Sequence, residues 1–268
     1  MGKKILFVNS EIFPYLPETP ISRIGRYLPQ GIQERKKEIR SFMPRYGCIN
    51  ERKNQLHEVI RLSGMNIIIN DVDRPLVIKV ASISAARIQV YFIDNEDYFK
   101  RKELERDDNG VFFGDNAERA IFFARGVLET VKKLRWAPDV IHCHGWITQI
   151  LPLYLKKAYK DDPIFENSKV MLSLYDDTPE IFNEEFSRLV KFGDITESDV
   201  PFLSEPTGIN LAKTAAQYSD GVIVAAENVD KGLVDYCKGL NLPVLDYDAK
   251  AVEDSSYIDA YNSFYDQF

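Results

Sequence analysis

The sequence predicts an α/β protein: one doubly wound, mostly parallel sheet with a β-hairpin excursion and a C-terminal amphipathic helix. Three observations carry that prediction. Residues 5–9 form a continuous apolar run, the mark of a strand buried on both faces. From residue 140 onward, short apolar strands alternate with segments of helical period, the rhythm of a doubly wound sheet. Between the two, residues 56–93 turn β-rich, with turn signals at Ser63-Gly64 and Asp73-Arg74-Pro75.

Taken in order, strand 5–9 is followed by a helix whose apolar residues Ile21, Ile24, Tyr27, Leu28 and Ile32 recur at helical spacing, and then by a short strand at 39–43. The excursion supplies strands at 58–62, 65–70, 76–82 and 89–94. A helix is expected over 115–134, with Ala117, Ile121, Phe122, Gly126 and Leu128 on its buried stripe. Strand 140–142, helix 147–158, strand 169–174, helix 180–191, helix 211–218, strand 221–225, helix 227–240 and strand 243–246 complete the alternation. The chain closes on 248–268, where Ile258, Tyr261, Phe264 or Tyr265, and Phe268 share a helical face. The expected division is a Rossmann-like domain over 1–247 and an aromatic-rich helix over 248–268, packed on that domain or on a partner.

Composition narrows the function classes. At 268 residues, 45 % hydrophobic and 28 % charged, the chain reads as a soluble globular protein. A net charge of −7 argues against a nucleic-acid partner, because phosphate binding needs clustered Lys and Arg. No apolar run reaches the roughly 18 residues of a membrane span, and residues 1–4 carry no signal-peptide apolar segment. Three scattered cysteines, Cys48, Cys143 and Cys237, suit reduced thiols and a cytoplasmic setting. His142 and His144 face the same way on a strand but lack a third ligand nearby in sequence, so no metal is expected; no cofactor is expected either.

Several motifs, in order, resemble the bacterial glycogen and starch synthase family. They are Ser10-Glu11-Ile12-Phe13-Pro14; Met43-Pro44-Arg45-Tyr46-Gly47; Asp115-Asn116 followed by Arg119; Pro138-Asp139-Val140-Ile141-His142-Cys143-His144-Gly145-Trp146; and Ile209-Asn210-Leu211-Ala212-Lys213 continuing to Tyr218-Ser219-Asp220. The resemblance implies half of a GT-B glycosyltransferase, the acceptor-side Rossmann domain, with a second domain supplying the nucleotide pocket, a catalytic Glu and the Arg and Lys that neutralise the leaving diphosphate. The chain stops about where that domain should begin. It also departs from the pattern. The family's donor loop, K-T-G-G-L and then an Asp, aligns with Pro17, Glu18, Thr19, Pro20, Ile21 and Arg23. Pro17 offers neither charge nor N–H where a Lys would grip phosphate. Thr19 and Pro20 replace glycines that permit close backbone approach. Tyr175-Asp176 replaces a His-Asn pair, and Gly145 an Asp.

By that resemblance His144 is the candidate contact to a sugar, with a buried structural histidine as the other reading. Asn210 and Lys213 either line a residual pocket or serve as a helix N-cap and a solvated face. Tyr15 and Trp146 either stack on a sugar or pack in the core. Arg23, Arg26 and Arg45 either form a small anion site or, by the default reading, are surface arginines with acidic neighbours. The terminal aromatic stripe either covers the chain's own sheet or forms a dimer or partner surface. No catalytic residue is assigned. The expected function is a glycogen/starch synthase-like protein that binds a glucan, a sugar metabolite or a protein partner and does not transfer glucose on its own. The alternative is a sugar-nucleotide-dependent glucan synthase completed by a separate C-terminal-domain polypeptide.

Overall fold

A computed structural model describes residues 2–179 and 181–268. The chain runs β1 (Lys4–Asn9), α1 (Pro20–Glu34), β2 (Glu38–Pro44), β3 (His57–Glu58), β4 (Met65–Ile69), β5 (Val72–Ile83), β6 (Ile88–Asp94), α2 (Glu96–Phe99), α3 (Asn116–Leu134), β7 (Val140–His144), α4 (Leu151–Lys156), β8 (Lys169–Leu174), α5 (Phe186–Leu189), α6 (Gly208–Gln217), β9 (Gly221–Val224), α7 (Lys231–Lys238), β10 (Val244–Leu245), α8 (Ala249–Glu253) and α9 (Tyr257–Tyr265). Among the described residues the strands order as β10-β9-β8-β7-β1-β2-β6-β5-β3, with β4 paired to β5. From β10 to β6 neighbouring strands are parallel; β5, β3 and β4 join antiparallel.

β1 is central because its alternate side chains feed both faces of the sheet. Leu6 and Val8 enter one apolar cluster with α3, α4 and α6. Ile5 and Phe7 enter the other with α1 and α9. From β1 the chain winds outward in one direction through β2 and in the other through β7, β8 and β9, so the topological switch lies between β1 and β7. In open α/β sheets the crevice beyond the carboxyl ends of the strands at that switch is where ligands bind.

Several elements differ from expectation for local reasons. The hairpin turns at Asn70-Asp71, both at positive φ (52° and 59°), rather than at Asp73-Arg74-Pro75; Asn and Asp tolerate that conformation. Pro75 lies inside β5, with its nitrogen turned away from β4, so the ladder loses no donor there. Strand 58–62 pairs only at His57–Glu58 before turning at Val59–Leu62. The expected helix over 180–191 begins at Glu180, outside the described residues, and only Phe186–Leu189 is helical. Helix 227–240 shortens to Lys231–Lys238, capped by Asp230. The C-terminal helix is two helices, broken where Ser255 takes φ 66°.

The aromatic stripe of α9 is buried within the chain. Tyr257, Tyr261, Phe264 and Tyr265 all lie in the β1-side cluster, and Ile258 packs on Gly31 of α1. Tyr265 shares a hydrogen bond with Nδ1 of His142, whose Nε2 meets the Ser173 hydroxyl at 2.7 Å. Both ring nitrogens of His142 are therefore committed to structural partners.

Candidate functional site

The loops after β1, β8 and β9 open at the carboxyl edge of the sheet and meet the segment around α8, enclosing a crevice of about 1080 Å³. Its chemistry begins with the start of α1. Thr19 is the N-cap: its hydroxyl oxygen accepts the Ser22 N–H at 3.0 Å, and the Ser22 hydroxyl oxygen accepts the Thr19 N–H at 2.7 Å. Pro20 follows at the first helical position, where a missing N–H costs nothing. The Thr19 hydroxyl also donates to Glu11 at 2.7 Å. A helix N-terminus attracts anions through free N–H groups and its dipole. Here Pro20 has no N–H, the Ser22 N–H is spent on the Thr19 hydroxyl and the Arg23 N–H on the Thr19 carbonyl, and the Glu11 carboxylate sits beside them. The residues standing in for the family's glycine loop have become a helix cap.

The charges around the crevice follow the same trend. Glu11, Glu18, Asp176, Asp177, Glu227 and Glu253 line it, and the cation among them, Arg23, pairs with Glu18 at 3.4 Å. Burial raises the Glu11 carboxyl, partly offset by the Thr19 hydroxyl, and nearby Glu105 raises it further. Burial likewise pushes Asp177 up to about 7, opposed by the Trp146 N–H and reinforced by Glu105 and Glu11. Asp177 Oδ2 accepts that N–H at 2.7 Å and so ties the β8 loop to the β7 loop. Gly145, between them, takes φ 86°, and a Cβ there would stand 2.1 Å from the Ser10 hydroxyl and 3.3 Å from Asp177.

Beneath this floor lie polar atoms with no protein partner among the described residues: Asn9 Oδ1, Ser10 Oγ, His144 Nε2 and Asp177 Oδ1. Buried polar groups in native proteins are nearly always satisfied, by protein, water or ligand. These four gather at the ends of β1, β7 and β8.

The sequence-predicted residues scatter around this crevice. His144 is fully buried; its Nδ1 and the Tyr175 hydroxyl lie 2.8 Å apart, and burial lowers its pKa to about 3. Tyr175 lines the crevice in its stead. Trp146 is buried against Phe112 and Phe182, with its indole N–H donating to Glu105. Tyr15 packs edge-on against Phe92 at 4.9 Å. Asn210 is third in α6, its N–H capped by Thr207 and its amide donating to the Glu205 carbonyl at 2.8 Å. Lys213 lies over Phe202 and Tyr236 at 5.6 Å from each ring. Arg26 donates to Gln30 and Arg45 pairs with Asp94, so the three arginines are not gathered. Among the described residues no group of three His, Cys, Asp or Glu is placed to hold a metal ion, and no helix is long and apolar enough to cross a membrane.

Sequence reasoning missed the crevice-lining roles of Glu11, Tyr175 and Asp177. Their signal was present as the Ser10-Glu11 motif and the Tyr175-Asp176-Asp177 substitution, which reads in the sequence as a loss. Only the folded loops show that it also contributes carboxylates.

Comparison with known proteins agrees with the motifs. The starch synthase catalytic domain profile matches residues 4–241. A glycogen synthase of Chlorobium limicola is 35 % identical over 220 residues, covering 81 % of this chain and 44 % of that protein. One of Pelodictyon phaeoclathratiforme is 32 % identical over 255 residues, covering 92 % and 51 %. The chain thus spans about half the length of the curated relatives it matches. The solved catalytic domain of starch synthase IV from Arabidopsis thaliana, bound to ADP and acarbose, superposes with a TM-score of 0.67 at 15 % identity over 83 % of this chain and 45 % of that one, a likeness of fold. With its motifs, its sheet order and a match across nearly its whole length, the chain belongs to the starch synthase catalytic domain family.

Proposed function

We propose that this chain binds a neutral carbohydrate in the crevice and does not by itself transfer glucose from a sugar nucleotide. The observation that carries the reading is the closed, acidic start of α1. Thr19 accepts the Ser22 and Arg23 N–H groups that would face a diphosphate, Pro20 has none to offer, and Glu11 stands beside them. A nucleoside diphosphate brought there meets carboxylates at close range and, among the described lining residues, Arg23 as the cation, already paired with Glu18. Like charges at such separations cost several kcal/mol. Transfer further needs preorganised positive charge to stabilise the departing diphosphate, usually the largest catalytic contribution. Sugar hydroxyls, by contrast, donate well to carboxylates. Exposure of the purified chain to ADP-glucose or UDP-glucose with glycogen should leave no glucose incorporated, while maltooligosaccharide titration should give saturable binding. Robust incorporation would overturn the reading.

The second reading is a glucosyltransferase completed in trans by a polypeptide carrying the nucleotide pocket. Family membership itself favours it, as does a crevice open along the sheet edge. Pro17 weighs against it, because a partner cannot restore a cation that this domain must contribute. Incorporation appearing only on addition of such a polypeptide would select this reading.

A further inference from the structure

We propose that the outer edge of β4 is a docking site for an extended acidic segment of a partner protein, which adds to the sheet as a further strand. This site lies apart from the crevice and does not depend on the carbohydrate reading.

The backbone establishes that the edge is open. Among the described residues β4 pairs with β5 alone, in the register Met65↔Leu76, Ile67↔Arg74 and Ile69↔Val72. Further along β5, the Ile78 N–H donates to Ser63 and its carbonyl accepts from Val59, so Ile78 faces the β3–β4 side of the strand. By the two-residue repeat, Leu76, Arg74 and Val72 face that side too. Their partners Met65, Ile67 and Ile69 spend their backbone groups inward, and Asn66 and Ile68 point theirs out. Arg125 confirms the direction, with Nη1 donating to the Ile68 carbonyl at 2.6 Å. That leaves the Asn66 N–H and carbonyl and the Ile68 N–H as the outward groups for an added strand. β4 reads Met-Asn-Ile-Ile-Ile, without the charge or proline that commonly blunts an exposed edge, and Ile68 is 56 % exposed.

The groove beside this edge, about 740 Å³, gives the partner its chemistry. Arg125 forms its floor and is only 6 % exposed. Its guanidinium is stacked 3.7 Å from the Phe192 centroid, its Nε has no partner, and among the described residues it meets no carboxylate in an ion pair. A buried guanidinium without a counter-charge favours a ligand that brings one. Arg188, on the far wall, donates to Asn70 at 2.8 Å and pairs with Glu185, and Lys191 pairs with Glu197; Asp71 and Glu129 also line the groove, so among the described lining residues Arg125 is the cation that meets no carboxylate. An extended segment with alternate carboxylates would pair its backbone with β4 and place an acid over Arg125, the familiar mode of strand addition.

The test uses the whole chain and a fluorescein-labelled, end-blocked peptide alternating valine and glutamate, with an alternating valine and lysine peptide as control. Expected results are saturable binding of the glutamate peptide alone, weakened by salt, and slowed hydrogen exchange at the Asn66 and Ile68 amides. Asn66→Pro removes an outward N–H opposite Pro75 while sparing the β4–β5 bonds, and Arg188→Glu reverses an exposed charge; each should weaken binding about tenfold or more. If Asn66→Pro fails to fold, Arg188→Glu and the exchange measurement still decide. Equal binding of the two peptides, no protection at Asn66 and Ile68, or indifference to Arg188→Glu would overturn the proposal. So would a concentration-dependent dimer lost in Asn66→Pro, which would assign the edge to a second copy of this chain.

Discussion

The hydroxyl of Tyr175 lies 2.8 Å from Nδ1 of His144, and it is the tyrosine that reaches the crevice while the imidazole stays buried behind it. With His144 Nε2 already lacking a protein partner, this contact is the histidine's one side-chain hydrogen bond among the described residues. Tyr175→Phe should therefore cost about 1–3 kcal/mol, because it strands a second buried ring nitrogen. Urea unfolding at neutral pH measures the loss; an unchanged midpoint would show that water serves the ring equally well.

Asp177 should make stability fall as pH rises. Its folded pKa, about 7, stands above the ordinary 3.8, so between those values the folded state holds a proton that the unfolded state has lost, and stability declines across that window. Asp177→Asn keeps an oxygen for the Trp146 N–H and carries no charge. Its urea midpoint should exceed that of the parent at pH 8, and the gap should close toward pH 4. A pH-independent gap would refute the assignment.

His144 titrates in the opposite sense. Burial depresses it to about 3 from 6.5, so the unfolded state takes the proton first and stability is lost as pH falls through that interval. His144→Gln should flatten the acid limb of a stability–pH curve between pH 6.5 and 3 without abolishing it, because burial, and then the neighbouring His144, also hold His142 well below the ordinary histidine value.

Gly145 should not tolerate a side chain. Its φ of 86° and the Ser10 side chain, which an added Cβ would run into, act together, so Gly145→Ala should destabilise by about 1–3 kcal/mol. Ser10→Gly in the same chain should recover part of that loss. Thermal melts of the single and double variants read the coupling directly.

The covering of the sheet by α9 should be a main source of stability. Tyr265 is fully buried and bonded to His142, so Tyr265→Ala should cost about 3–5 kcal/mol. Tyr265→Phe, which keeps the ring, should cost about 1–3 kcal/mol. Paired urea titrations separate packing from hydrogen bonding.

What the residue order alone determined is the class of fold and its family. Apolar runs such as Ile5–Val8, short and bounded by polar residues, suit strands buried on both faces, and motifs such as the one ending at Gly145-Trp146 are local strings whose meaning survives without coordinates. The change at Pro17, Thr19 and Pro20 was equally legible as a loss of phosphate-binding groups. Tertiary structure decided what stands in place of those groups, because hydrogen bonds between distant loops have no periodicity to read. Thr19 becomes a cap with Glu11 beside it. Asp177 crosses to the Trp146 N–H, and Tyr175 screens His144. The two readings of the terminal stripe were also separated only there: an amphipathic face must be buried, yet its own pattern does not say against what, and here it is the chain's own sheet, through Phe7, Met171 and Ile223.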